Sequence, residues 1–169
     1  MKENLNRKSL PKQSEAFETL SRKRSKESLF EMAKSLSFGK DYGHSIQEMC
    51  SWYLNKLYAN NYFSFWVHLH GPGNLKAFLN TFLEERRKFF DYSTVEERED
   101  GSMVIRTPLW FLKENPDFLF TLDLPKEDLS EYIIELAEEK GRRLGIDLSI
   151  IHCNGVETAI IRPLSKEEF

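Results

Sequence analysis

The sequence predicts an α+β protein in which N-terminal helices precede two strand–helix–strand–strand (βαββ) repeats. The repeats are expected to form a mainly antiparallel sheet with helices on one face. Two observations carry this prediction. Apolar residues follow helical spacing before residue 60 and extended runs recur after residue 62, and the dipeptides Asp100-Gly101 and Asn154-Gly155 each separate two extended runs.

The chain of 169 residues has the length of one domain with an additional arm. We assign residues 1–26 to a basic, flexible arm and residues 27–169 to a single α+β domain. Within the domain we expect a helical part at 27–60, a first βαββ unit at 62–109 and a second at 118–164.

The composition predicts a cytoplasmic protein without a membrane span. Apolar residues make up 40% of the chain, which is enough for a core, but no run approaches the roughly 18–20 uninterrupted apolar residues that a span requires. The first residues are charged and lack the apolar stretch of a secretory signal. Cys50 and Cys153 lie far apart in unlike contexts, which favours a reducing compartment.

The charge is unevenly distributed. The net charge is −3, but residues 1–26 contain eight basic and three acidic residues, which leaves −8 for the remainder. We therefore expect nucleic acid to bind only through the basic arm, if at all, because the body is acidic. A small-molecule ligand or a protein partner, including a second copy in a homodimer, fits the body better.

Two helices are predicted before the repeats. Residues 25–37 place Leu29, Ala33 and Leu36 at helical spacing, and residues 46–57 repeat apolar side chains at i, i+3, i+4, i+7, i+8 and i+11. Residues 27–59 should cover a sheet face or serve as a dimerisation element.

The first unit begins with residues 63–69, where apolar and polar side chains alternate as in a strand. Asn74 is the predicted N-cap of a helix, and the Asp100-Gly101 hairpin follows. The second unit repeats the order, with a predicted strand at 118–124 and Asp128 as N-cap in a capping box with Glu131.

A shift of 54 positions aligns the two predicted helices and their caps, which indicates duplicated units. This duplicated βαββ module resembles the GyrI-like ligand-binding domains over residues 62–164, and His70-Gly71-Pro72 is similar to a His-x-Gly-Pro element of that family. The resemblance implies a cleft between the units that binds small cationic or aromatic molecules, with Glu96 or Asp123 as its acidic residue, and it implies no reaction.

His68 and His70 are the candidate metal ligands. Side chains at i and i+2 of a strand point the same way, so two imidazoles could share a divalent metal. The alternative function is a metal-dependent DNA-nicking enzyme like the relaxases, with Tyr132 as nucleophile. Either His152 or Cys153 could join the metal, since adjacent strand residues point to opposite faces, but a half-buried strand end is the favoured interpretation there. Otherwise we expect no cofactor.

The expected function is a small-molecule-binding or protein-interaction domain with a regulatory or sensory role and without catalysis. A structural adaptor without a ligand is the remaining alternative. Arginines end equivalent strands of the two units, where they could converge on an anion, and tryptophans could line an apolar pocket. The predicted ligand-binding residues are Trp66, His68, His70, Arg106, Arg162 and Trp110.

Overall fold

A computed structural model describes residues 10–87 and 93–163 of the chain. Helices and strands in these residues follow one another as α1 (Leu10–Asp41), α2 (Ile46–Ala59), α3 (Tyr62–His70), α4 (Leu75–Arg87), β1 (Thr94–Glu97), β2 (Met103–Pro108), α5 (Trp110–Glu114), α6 (Asp117–Thr121), α7 (Lys126–Arg143), β3 (Ile146–Cys153) and β4 (Val156–Pro163). The protein is therefore an α+β fold with helices before an antiparallel sheet, as the sequence predicts.

The four strands form one antiparallel sheet in the order β1-β2-β4-β3. Each hairpin pairs its own strands, and β2 pairs with β4 at the centre, with Ile105 opposite Ala159. Asn154 and Gly155 both have positive φ, as the two central residues of a tight hairpin turn require. Both predicted hairpins are confirmed.

The inner face of the sheet is the core of the protein. Ile105, Ile146 and Ile161 are fully buried there, in a cluster that includes side chains from α2, α3 and α4. Helix α7 packs along β3 so closely that a Cβ on Gly141 would lie 3.1 Å from Leu148 Cβ. A second buried cluster joins α1, α2 and α5 to α7, with Phe111 in its interior.

Helix α1 spans Leu10–Asp41, so it includes much of the segment predicted to be a flexible arm. Arg22 forms an ion pair with Glu114, and Ser25 is buried, which ties this part of α1 to the body. Residues 1–9 of the predicted arm lie outside the described residues.

The predicted strand at 63–69 is wrong, because these residues form α3. Phe63 and Trp66 are buried, whereas Phe65, which a strand would place on the same face as Phe63, is exposed. Apolar side chains occupy so many positions of this segment that they fit the strand period of two as well as the helical period of 3.6. Asn61, in the left-handed conformation at φ 59°, separates α2 from α3, and the buried side chains Phe63 and Trp66 lie three residues apart, as on one face of a helix.

The predicted strand at 118–124 is also wrong, because residues 117–121 form α6. Leu119 is buried and Phe120 is 91% exposed. Both units consequently have the order helix, helix, hairpin rather than βαββ. The resemblance to GyrI-like domains assumed the two opening strands, and it stays a prediction.

The predicted cap of the first unit is confirmed, since Asn74 Oδ1 accepts a hydrogen bond from the Ala77 N–H at 3.0 Å. The cap predicted for the second unit is wrong. Helix α7 begins at Lys126 after Pro125, so Asp128 lies within its first turn and pairs with Lys40. A carboxylate still stabilises this position through the helix dipole.

No helix in the described ranges combines the length and apolar character needed to cross a membrane.

Candidate functional site

Four polar side chains meet at the end of the core nearest the β3–β4 turn. Arg86 lies in the last turn of α4, Ser130 lies in α7, and His152 and Glu157 occupy neighbouring positions on β3 and β4. The strand register places His152 opposite Glu157 on the face that also carries Ile150 and Ala159. Both side chains therefore point toward the core rather than toward solvent.

The four side chains form a continuous hydrogen-bonded chain, which we call the polar chain. Arg86 Nε donates to Glu157 Oε1 at 2.7 Å, His152 Nε2 lies 2.9 Å from Glu157 Oε2, and Ser130 Oγ lies 2.5 Å from His152 Nδ1. Glu157 is fully buried and the His152 side chain is 5% exposed. Ser130 is partly exposed, so it forms the outer end of the polar chain.

Glu157 is held as a carboxylate. Burial alone would raise its pKa, but the charge of Arg86 together with hydrogen bonds from His152 and Arg86 lowers the pKa below the ordinary value of 4.5. The carboxylate and the guanidinium balance each other in the buried part of the polar chain.

The ionised carboxylate fixes the tautomer of His152. A carboxylate only accepts hydrogen bonds, so the proton of the neutral imidazole lies on Nε2, facing Glu157. Nδ1 then carries a lone pair and accepts the hydrogen bond of the Ser130 hydroxyl. The hydroxyl is thus directed at a base whose orientation is set by a third group.

Sequence reasoning missed three of these four residues. It considered His152 only as an additional metal ligand. The sequence does contain evidence that two of them are buried. Arg86 continues the apolar helical stripe of Phe82 and Leu83, and Glu157 lies two residues from the core residue Ala159, on the same face of β4. A charged residue at a core-facing position predicts a buried partner.

The metal-binding geometry predicted for His68 and His70 is not present. Both residues are exposed on α3, where positions i and i+2 point about 200° apart. The ring of His70 instead contacts Trp66 at 5.0 Å between centroids. Within the described residues, no three His, Cys, Asp or Glu side chains are grouped in a way that could hold a metal ion.

Tyr132 and Cys153, the other residues considered for the alternative function, lie in different environments. Tyr132 packs against a core cluster, and burial raises its pKa to about 12. Cys153 is exposed on the face of β3 opposite to His152, as strand alternation predicts. A relaxase-like site requires a convergent histidine pair and an accessible tyrosine, whereas the structure shows a divergent pair and a partly buried tyrosine.

The two predicted anion-binding arginines do not converge. Arg106 pairs with Glu96 at 2.9 Å and Arg162 with Asp147 at 3.5 Å, each within its own hairpin. Arg106 lies opposite Thr158, which is four residues from Arg162 along β4, or roughly 13 Å.

The two predicted tryptophans belong to different parts of the core. Trp66 packs in the cluster on the sheet, while Trp110 lies in the cluster around α1 and donates to Ser25 Oγ at 2.9 Å. An open depression lies between α6 and the start of α7, lined by Asn115, Leu119, Phe120, Asp123, Leu124, Pro125, Lys126 and Glu127. None of the six predicted ligand-binding residues lines this depression.

Comparison with known proteins places the chain in a family. No protein-family model matches the sequence, and no solved structure matches it. The chain is 32% identical over 142 residues to the uncharacterized protein YxnB of Bacillus subtilis (strain 168), an alignment that covers 84% of this chain and 88% of that protein. The chain therefore belongs to the same family as YxnB.

Proposed function

We propose that this protein is a protein-interaction domain that self-associates through the outer faces of α2 and α3. The observation that supports it is the exposure of large apolar side chains in a nearly uncharged segment. Trp52 and Tyr58 on α2 and Phe65 and Leu69 on α3 are each at least 60% exposed. Exposed apolar groups of this size on adjacent helices are typical of interaction surfaces.

The charge pattern distinguishes this surface from the rest of the protein. From residue 42 to residue 83, only Glu48, Lys56 and Lys76 carry a formal charge at neutral pH, whereas 30% of the whole chain is charged. The centres of protein interfaces are depleted in charge and enriched in aromatic residues. Tryptophan and tyrosine also contribute a large share of binding energy at such centres.

A second copy of the chain is the partner that this surface suits best. A twofold interface places one patch against itself, so a net charge on the patch would oppose association. The three charges of the segment sum to only +1, while the remainder of the chain carries −4. The α2–α3 surface therefore permits self-contact with little repulsion.

The experiment is sedimentation of the full chain across a concentration series. We expect a dimer for the wild type and a monomer for the double variant Phe65→Glu/Leu69→Glu. Phe120→Glu is the matched control, because Phe120 is 91% exposed but lies on α6, away from α2 and α3. Circular dichroism of all three proteins checks that the helices remain formed.

A wild type that sediments as a monomer at every concentration at which it stays in solution would overturn the proposal. Dissociation of the Phe120→Glu protein together with persistence of the double variant as a dimer would also overturn it, since the contact would then lie elsewhere.

A further inference from the structure

The polar chain has the arrangement of an activated serine. A nucleophilic serine requires a base within hydrogen-bond reach and a third group that orients the base. His152 Nδ1 lies 2.5 Å from Ser130 Oγ, and Glu157 holds Nε2 at 2.9 Å on the other side of the ring. Such arrangements are identified by geometry and roles rather than by the order of residues along a chain.

We propose that Ser130 is a nucleophile that accepts the acyl group of small carboxylic esters, with His152 as its general base and Glu157 as a positioning residue. This proposal is independent of the proposed self-association, because Ser130 lies on α7 rather than on α2 or α3. It requires no metal or redox cofactor, since acyl transfer to a hydroxyl is a displacement.

The reaction is balanced by groups within the polar chain and by water. Ser130 Oγ attacks the ester carbonyl carbon, and the hydroxyl proton moves to His152 Nδ1. Collapse of the tetrahedral intermediate breaks the bond to the alcohol oxygen, which leaves with that proton. Water then attacks the acyl-serine, releases the carboxylic acid and restores the Ser130 hydroxyl.

Burial limits the substrate. Ser130 is only partly exposed and the His152 side chain is 5% exposed, so a bulky acyl group has no access to the reacting atoms without displacement of core side chains. Arg86 already neutralises the Glu157 carboxylate, and no positive charge in the polar chain remains for an anionic substrate. Small, uncharged, activated esters are therefore the substrate class.

The first test uses methanesulfonyl fluoride, a small uncharged probe that reacts with activated serine hydroxyls. We expect one adduct per chain by intact mass spectrometry, located on Ser130 by peptide mapping, and no adduct in Ser130→Ala. Ser149→Ala is the matched control, because Ser149 is an exposed serine on the opposite face of β3 and should leave labelling unchanged. Absence of an adduct, or an adduct that persists in Ser130→Ala, would overturn the proposal.

The second test uses p-nitrophenyl acetate and measures the release of p-nitrophenolate. We expect a burst equal to the protein concentration, and His152→Gln should lower the acylation rate constant by roughly 100-fold or more. Glu157→Gln should lower the acylation rate constant but leave the half-saturating ester concentration unchanged. Glu157→Asp, which keeps a carboxylate, should restore part of the acylation rate. Equal rates in the wild type and in folded His152→Gln would contradict the role of the imidazole.

Discussion

Arg86 and Glu157 form a buried ion pair that joins the last turn of α4 to β4, with 2.7 Å between Arg86 Nε and Glu157 Oε1. The side chains are 6% and 1% exposed, so solvent screens their interaction little. The guanidinium also lies over the ring of Phe82, at 4.4 Å from its centroid. The pair thus connects a helix, a strand and the aromatic core.

Replacement of Arg86 by methionine should strongly destabilise the protein. Methionine keeps part of the aliphatic contact with Phe82 but leaves the Glu157 carboxylate buried without its cation. Loss of one partner of a buried pair lowers the free energy of unfolding by about 3–5 kcal/mol. Urea unfolding of the wild type and the variant measures the difference.

The matched control for this prediction is Arg106→Met. Arg106 pairs with Glu96 at the surface, where both side chains are about half exposed. Such pairs contribute about 0–1 kcal/mol. Similar losses in the two variants would contradict the distinction between a buried and a solvated pair.

Glu157 should also make stability depend on pH in the acidic range. Its pKa in the folded protein is lowered from 4.5, because Arg86 and the hydrogen bonds outweigh the effect of burial. The unfolded chain therefore binds the proton first as the pH falls below about 4.5, and the stabilising contribution is lost as the pH passes through the folded pKa. At neutral pH the contribution is complete.

The measurement is the free energy of unfolding at a series of pH values for the wild type and Glu157→Gln. The wild type should lose stability in acid more steeply than the variant, which has no group to titrate at this position. Hydrogen bonds from Ser45 and Ser102 also lower the pKa of Glu48 and Asp100, respectively, so only the difference between the two slopes reports on Glu157. If the free energy of unfolding falls equally steeply with decreasing pH in both proteins, the pKa of Glu157 is not lowered by folding.

Lys140 should make the stability of the protein fall as the pH rises through the alkaline range. Burial would lower its pKa, but the ion pair with Glu85 and a contact with Tyr62 raise the pKa above 10.5. The resulting stabilisation is present below pH 10.5 and is lost as the pH rises through the folded pKa. Lys140→Met should show a shallower alkaline decline in urea unfolding than the wild type, and equal declines would contradict this prediction.

Local patterns were sufficient for the elements whose periods are unambiguous. Helix α2 buries Ile46, Cys50 and Leu54 at the predicted spacing, and the hairpin at Asn154-Gly155 follows from its turn residues. The prediction for α3 failed because apolar residues at six of its nine positions fit both the strand period and the helix period. The choice between the periods was made by packing against α2 and the sheet, which a local pattern does not contain.

The polar chain was not predicted because its partners are distant in sequence. Glu157 lies 71 residues from Arg86, and His152 lies 22 residues from Ser130. The core-facing positions of the two charged residues could be deduced from helical and strand periods, but their pairing depends on how α4 and β4 meet. The sequence could therefore have predicted that Arg86 and Glu157 are buried, but it could not have predicted that they pair with each other.

The two cysteines should differ sharply in reactivity. Cys50 is buried on α2, and burial, followed by the nearby carboxylates of α7, raises the pKa of its thiol to about 12. Cys153 is exposed at the end of β3. Because the thiolate is the reactive form, an accessible thiol reacts much faster than a buried thiol with a raised pKa.

Titration of the folded protein with Ellman's reagent at neutral pH should therefore show one fast thiol per chain, and titration in urea should show two. Cys153→Ser should remove the fast phase, whereas the matched variant Cys50→Ser should retain it. A fast phase that persists in Cys153→Ser would mean that Cys50 is accessible. Helix α2 would then have to separate from α7 readily, since the Cys50 thiol lies 3.8 Å from the carbonyl oxygen of Tyr132 on that helix.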